Sequence, residues 1–485
     1  MCDLKDPQDG TVPEDTSLFS SFENLVKKLE ELLSKIRPWP PIYDPRDWHY
    51  TKLDSFEEYR DFLEHLGANT KFQEHSKKAV FSDSIYPLII NETQVLNDLL
   101  GEYMIRRRHA YKYGKEIVRD LYLEWESMLY RKELDCYAIC FLEYVTVRNA
   151  IDLGDQVIMR MLDLHERTEW EERTAILDVF GQRRGRDFPW YVVEATWREE
   201  KRIEPDVRKL KMPSLKIPAR LQNLIYALQL FGAPRSHYSL VYISTRLKTQ
   251  GILYELATPA PFKDPSDFLD FDQVLSNRFT QFWANVGQIL KMKNASWWRN
   301  ALGRYERSIL EGVHEDKLVD LIIALEGILL SDPPGELRRT LSQRLAVLNS
   351  VTPTSAKSPD PQMFETAYES YRLRNRVVHG SISNEDLGKI ELILEPLRES
   401  ARGCLLRFLG LLEITPKNED KARSDIHECL DKGILQQENR DEIKNMLSSS
   451  FLSGFEQILQ AQWWKGTDEE AHKFLGGLAL SSARY

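Results

Sequence analysis

Tyr371-Arg372-Leu373-Arg374-Asn375-Arg376-Val377-Val378-His379-Gly380 places three arginines, an amide and a histidine in one short run that ends on glycine. It contains no proline and predicts a helix end, with Gly380 as the break. On an ideal helix Arg372, Asn375 and Arg376 precede His379 by seven, four and three residues and share its face. Arg374 precedes it by five and lies about 140° round the axis. Joint use of Arg374 and His379 therefore needs distortion at the helix end, long side-chain reach or a second subunit. The residue types suit metal-free cleavage of RNA. An imidazole that titrates near neutrality can move the 2′-hydroxyl proton, and guanidinium groups can stabilise the extra charge on phosphorus. Taken alone, the same residues also suit a solvated basic helix end with a capping histidine.

Around this run the C-terminal half is helical in period. Leu318, Ile322, Leu325 and Leu329 line one helix face, and Pro333-Pro334-Gly335 closes that helix. Further helices are expected over Glu336–Leu348, Phe364–His379 and Asn384–Glu413, with a proline-rich loop from Ser350 to Pro361. Toward the N-terminus the texture changes. Val145–Val147, Val157–Met159, Trp190–Trp197 and Tyr238–Ile243 read as strands, and Leu221–Leu230 between them reads as a helix. Pro259, Pro261 and Pro265 mark a linker. A helix is expected over Leu18–Ile36, and 48–142 reads as mostly helical, including Leu99–Met128. The expected fold is mainly α with a smaller α+β middle domain. Its parts are a tail and helix over 1–40, a helical domain over 41–143, the α+β domain over 144–262, a helical domain over 263–413 and a helical extension over 414–485.

Arg374-Asn375-Arg376-Val377-Val378-His379 resembles the signature of HEPN domains, an Arg followed after roughly four to six residues by His, with a polar residue directly after the Arg. Arg372 satisfies the looser spacing, so the choice of Arg374 rests on Asn375. The region is similar to the Apea-like HEPN family in particular. Glu315–Glu326 matches an acidic-start helix ending in Ala324-Leu325-Glu326, Glu336–Ala346 a second helix, and Tyr371–Gly380 the closing motif. Ala227–Phe231 and Phe279–Trp283 resemble segments that often precede this domain. The likeness covers 268–413 well and 144–262 loosely; 1–140 and 417–485 lie outside it.

The resemblance implies a C-terminal HEPN-type helical bundle. Active members are metal-independent endoribonucleases that pair as homodimers, with two Arg–His sets facing one cleft and no cofactor. Carried onto this sequence, it implies Arg374, Asn375 and His379 as catalytic residues, supported by Glu326, Arg372 and Arg376. The substrate would be RNA, tRNA among the classes, in a defence or toxin-like setting, with a trigger acting on the middle or N-terminal domain. The alternative is a non-catalytic dimerisation or binding module in a regulatory or sensor protein. Glu326 has two readings: it orients a motif arginine or His379, or it sits at the core edge facing water.

Among the 485 residues, 65 Lys and Arg face 75 Asp and Glu, a net charge of −10, which excludes a uniformly basic nucleic-acid coat but not a local patch. Arg106-Arg107-Arg108-His109-Ala110-Tyr111-Lys112 is such a patch. Arg106, Arg107, Arg108 and Lys112 can meet phosphates while the tyrosines stack on bases, or the run is a solvated helix face. Gln182–Arg186 is a weaker, loop-like candidate. The 5 cysteines are too few and scattered for a disulfide framework, and Cys136 and Cys140, four apart, read as core rather than as metal ligands. Trp297-Trp298 and Trp463-Trp464 read as packing anchors. Phosphate-loop, metalloprotease and serine-hydrolase motifs are absent from the sequence. The polar, acidic start is unlike a signal peptide, and no apolar run approaches a membrane span. The expected location is the cytoplasm.

Overall fold

Helix α1 (Thr16–Leu33) follows from its spacing, since Leu18, Phe22, Leu25, Val26 and Leu29 fall on one side and are all fully buried. Asp15 caps it, its carboxylate accepting from the backbone of Ser17 and Leu18. The computed structural model describes residues 13, 15–33, 55–82, 88–92, 95–96, 99–103, 114–164, 166–168, 170, 191–205, 217–232, 236–245, 252–255, 269–292, 296–310, 312–331, 336–415 and 418–459. Its described part is mostly helical, with a small sheet region toward the middle of the chain. None of its helices is long and apolar enough to cross a membrane. The chain forms two units, Met1–Phe141 with Asp155–Pro218 and Leu240–Leu256, and Leu142–Gly154 with Ala219–Ser239 and Ala257–Tyr485. This grouping follows tertiary contacts and differs from the serial division read from sequence texture.

In the first unit α1 packs against α2 (Glu57–Ala68) and α4 (Lys115–Tyr130), with α3 (Thr70–His75) between α2 and α4. Asn69 caps α3 and also donates to Asp15, 2.9 Å away, so one carboxylate links two helix starts. Strands β1 (Ala79–Phe81), β2 (Leu88–Ile89) and β8 (Arg202–Glu204) form a small antiparallel sheet in the order β2-β1-β8. A larger sheet runs β10-β9-β3-β7-β6, with β3 at Glu133–Glu143, β6 at Val157–Met161, β7 at Tyr191–Glu200, β9 at His237–Thr245 and β10 at Ile252–Glu255.

Strands β1, β2 and β3 correct the expectation of a helical domain over 41–143, β3 running through its end. β3 is buried on both faces, with Leu134, Cys136, Ala138 and Cys140 on one side and Tyr137, Ile139 and Phe141 on the other. Such a run lacks the alternation that marks a strand and cannot be told from a buried helix by period. Tyr137, Ile139 and Phe141 enter a core with Leu162, Trp170, Val192 and Tyr242. Cys136 and Cys140 therefore share a strand face rather than a helix face; both are buried thiols.

The second unit is a helical bundle with one short parallel pair, β4 (Val145–Val147) and β11 (Leu269–Phe271), the latter within a region read as helical, and a further two-residue strand, β5 (Ile151–Asp152). Asp270 holds the pair, accepting from Thr146 at 2.8 Å and from Arg148 at 3.0 Å. Helices α5 (Ala219–Phe231) and α6 (Gln273–Met292) meet through Phe231, whose ring lies 5.2 Å from Phe279 and 5.3 Å from Phe282. The bundle centre is α8 (His314–Leu329), packed by α7 (Ser296–Leu310), α10 (Pro361–Val378) and α11 (Asn384–Ile414), with α9 (Leu337–Ser350) against α10 and α11. Gly327 permits the tight α7–α8 approach: a Cβ there would lie 3.2 Å from the Ala301 Cβ. Helices α12 (Glu419–Gly433) and α13 (Gln437–Ser448) pack on α11 and on each other. Trp298 is buried and stacks on Phe408, and Trp297 meets the same ring edge-on.

The C-terminal carbonyls of α8 have no partners within the helix. Three side chains from α9 and α12 supply them. Arg423 donates to the carbonyls of Gly327 and Leu330, Arg344 to that of Leu329, and His427 Nε2 to that of Ile328 at 2.7 Å. Burial, together with the nearby Arg344 and Arg423, pushes the His427 imidazole down to about 4, so it is neutral at pH 7. Its unfolded value is about 6.5. The associated stability is therefore complete above pH 6.5 and is lost as pH falls toward 4. Urea unfolding of wild type and His427→Gln at pH 7.5 and 4.5 should show the gap between the two proteins narrowing in acid by about 2–3 kcal/mol.

Candidate active site

Helix α10 starts earlier than its apolar period suggests. Asp360 accepts from the Gln362 amide at 2.9 Å and Pro361 takes the first helical position, a favoured start. The helix ends at Val378. His379 is its C-terminal cap, Gly380 adopts φ +66°, and the amides of Gly380 and Ser381 donate back to the carbonyls of Val377 and Arg376. This closure needs a left-handed residue, which glycine supplies without steric cost. The turn then leads to Ser383, which forms a reciprocal capping box with Asp386 at the start of α11.

The three arginines of α10 divide between two sides: Arg372 and Arg376 both approach Asp386, and Arg374 faces α8. Arg372 is held by Glu369, with Nε donating to Oε2 at 2.7 Å. Arg376 is held by Asp386, with Nη1 at 2.9 and 2.8 Å from the two carboxylate oxygens. The hydrogen bonds from Arg376, then those from Ser383, hold the Asp386 carboxyl down to about 2. Arg376 is thus tied to the neighbouring helix. Arg374 points elsewhere, as its angular offset requires. Its Nη2 lies 3.4 Å from Glu326 Oε2 on α8, its Nη1 donates to Asn375 Oδ1 at 3.0 Å, and its Nε is buried without a partner.

Glu326 is half-buried and lies 3.4 Å from the guanidinium of Arg374. Tyr371, buried beside it, has its phenol pushed up to about 12, first by burial and then by the Glu326 carboxylate. Arg374 also lies over the Tyr371 ring at 5.7 Å. The His379 side chain is exposed and makes no hydrogen bond among the described residues. Within one chain no hydrogen bond joins Arg374 to His379.

No family model, curated protein or solved structure matches the chain. The site therefore rests on its own residues. Arg106, Arg107, Arg108 and Lys112, with Gln182–Arg186, Trp463-Trp464 and the Pro259–Pro265 linker, lie outside the described residues. Among the described residues no three His, Cys, Asp or Glu side chains converge as metal ligands.

Sequence reading missed the partners that occupy two of the arginines. Glu369 is three residues before Arg372, a spacing that signals a helix pair, and Ser383 with Asp386 is a readable capping box. The Arg376–Asp386 pair carries no such signal because it depends on how α10 and α11 meet. Gly380→Ala should lower stability by about 1 kcal/mol in urea titrations, from the strained left-handed backbone. Gly380→Asn should lose less, because asparagine tolerates that conformation.

Proposed function

We propose that the chain is a metal-independent endoribonuclease of the HEPN type that acts as a homodimer. The supporting observation is the partition of α10. Arg372 and Arg376 are paired with Glu369 and Asp386 at 2.7 and 2.8 Å, whereas Arg374 points to another helix, 3.4 Å from Glu326, and His379 is exposed at the helix end. The arginine that carries the motif is the one turned away from its histidine. An Arg from one subunit and a His from its partner can meet across a two-fold seam without distorting the helix.

In this reading His379 takes the proton from the RNA 2′-hydroxyl. The oxygen attacks the adjacent phosphorus, the bond from phosphorus to the 5′-oxygen breaks, and the second imidazole of the dimer returns a proton to that oxygen. Arg374 neutralises the charge that builds on the phosphoryl oxygens. Asn375, already bonded to Arg374, holds the guanidinium or the phosphate in place. Glu326 and Tyr371 fix the arginine from behind. The defence or toxin-like setting and a trigger on the middle or N-terminal domain follow from the family resemblance. One observation favours the alternative, a non-catalytic dimerisation module: the Glu326–Arg374 contact is also what a structural ion pair between helices looks like.

End-group analysis in EDTA separates the two. Wild type should leave 2′,3′-cyclic phosphate and 5′-hydroxyl ends, and His379→Ala and Arg374→Ala should each lose on the order of 10²–10⁴ in rate. Arg376→Ala should affect unfolding more than rate. Products ending in 5′-phosphate, or undiminished cleavage by His379→Ala, would sink the mechanism. Light scattering at micromolar concentration should report a dimer.

A further inference from the structure

A cleft of about 920 Å³ lies between α7, α8 and α12 within the second unit. Its wall includes Trp297, Asn300, Arg304, Glu326, Asp420 and Ser424. Glu326 joins this cleft to the candidate active site, since it lines the cleft and also meets Arg374 at 3.4 Å. The charges on the wall are balanced. Arg304 donates to Asp320 at 2.6 Å, Glu326 is occupied by Arg374, and Arg423, whose guanidinium lies 4.7 Å from the centre of the Trp297 ring, offsets the charge of Asp420, which accepts from the same indole at 3.2 Å. A bare anion or cation finds no surplus of opposite charge there. By contrast, the exposed Asn300 amide and Ser424 hydroxyl make no hydrogen bond among the described residues.

An indole, an amide that both donates and accepts, a hydroxyl and paired charges suit a flat, neutral ligand rich in edge donors and acceptors. Unpaired nucleobases are such ligands, and single-stranded RNA is read by splaying bases onto aromatic or guanidinium planes and bonding their edges. We propose that this cleft seats one unpaired base of an RNA strand whose neighbouring phosphate lies at Arg374. Asn300 and Ser424 bond the base edge, Trp297 forms the wall beside it, and Glu326 carries the register of the seated base to the arginine. The proposal rests on the ribonuclease reading and adds to it the recognition of single-stranded RNA with one base held outside the cutting site.

The test uses the full chain carrying His379→Ala, which leaves RNA uncut. Short single-stranded RNAs, intact or lacking the base at one position in turn, are titrated by fluorescence anisotropy in EDTA. Asn300→Ala and Ser424→Ala are compared with their parent, with circular dichroism as a folding control for these two exposed sites. Intact RNA should bind Asn300→Ala on the order of tenfold more weakly. One abasic position should cost the parent a similar factor, and Asn300→Ala should lose nothing further on that abasic strand. RNA that binds indifferently to both substitutions and to every base removal would overturn the cleft assignment while leaving the ribonuclease reading intact. Equal loss on intact and abasic strands would overturn it too. If wild type neither binds nor cuts RNA, the ribonuclease reading fails and this one falls with it.

Discussion

The second unit depends on how the end of α8 is closed. A helix that ends inside a bundle leaves carbonyls which must find donors, because a buried unpaired acceptor costs about 1–3 kcal/mol. Here the carbonyls of Gly327, Ile328, Leu329 and Leu330 are met by Arg423, His427 and Arg344. The two guanidinium groups also complement the negative end of the helix dipole. Arg344 is in turn held by Asp431 through paired bonds of 2.7 Å. α12 is thus tied to the bundle by polar bonds as well as by apolar contact, and its register against α8 is specified.

That closure has a consequence for the candidate chemistry. Glu326 sits one residue before the capped carbonyls, so the helix end that α12 secures is the one that presents this carboxylate to Arg374. On the opposite side, α10 and α11 are locked at their turn by Arg376, Asp386 and Ser383. Arg374 is therefore a side chain whose two flanking turns are both anchored. Preorganisation of this kind keeps a charged group in one place without reorganising it during reaction. It also explains why Arg374 differs from its two neighbours: Arg372 and Arg376 share one helix face and both reach Asp386, while Arg374 points to another face and meets Glu326.

Buried arginines recur along α11. Arg407, fully buried, donates to the Val351 carbonyl at 2.7 Å and to Asn349 at 3.0 Å, and Arg402 reaches the Leu230 carbonyl at 2.9 Å. Each satisfies a backbone acceptor at the end of another helix or just beyond it. The bundle thus uses long cations as internal caps, where short Ser, Asn or Asp side chains serve only at helix starts such as Asp360 and Ser383.

Sequence alone determined the helices whose apolar residues recur at three and four, α1, α8 and α11 among them, because one-sided burial leaves a period in the residues themselves. It also determined the helix end at Gly380, and it marked Arg374, Asn375 and His379 by type and spacing. β3 was illegible, since burial on both faces erases alternation. The partners of Arg374 and Arg376, the capping of α8 and the cleft beside Glu326 were decided by tertiary structure. Each joins residues on different helices, and a pair such as Glu326 and Arg374, 48 residues apart, leaves no local pattern. Which carboxylate Arg374 and Arg376 each meet depends on where a second helix places it, and packing alone fixes that.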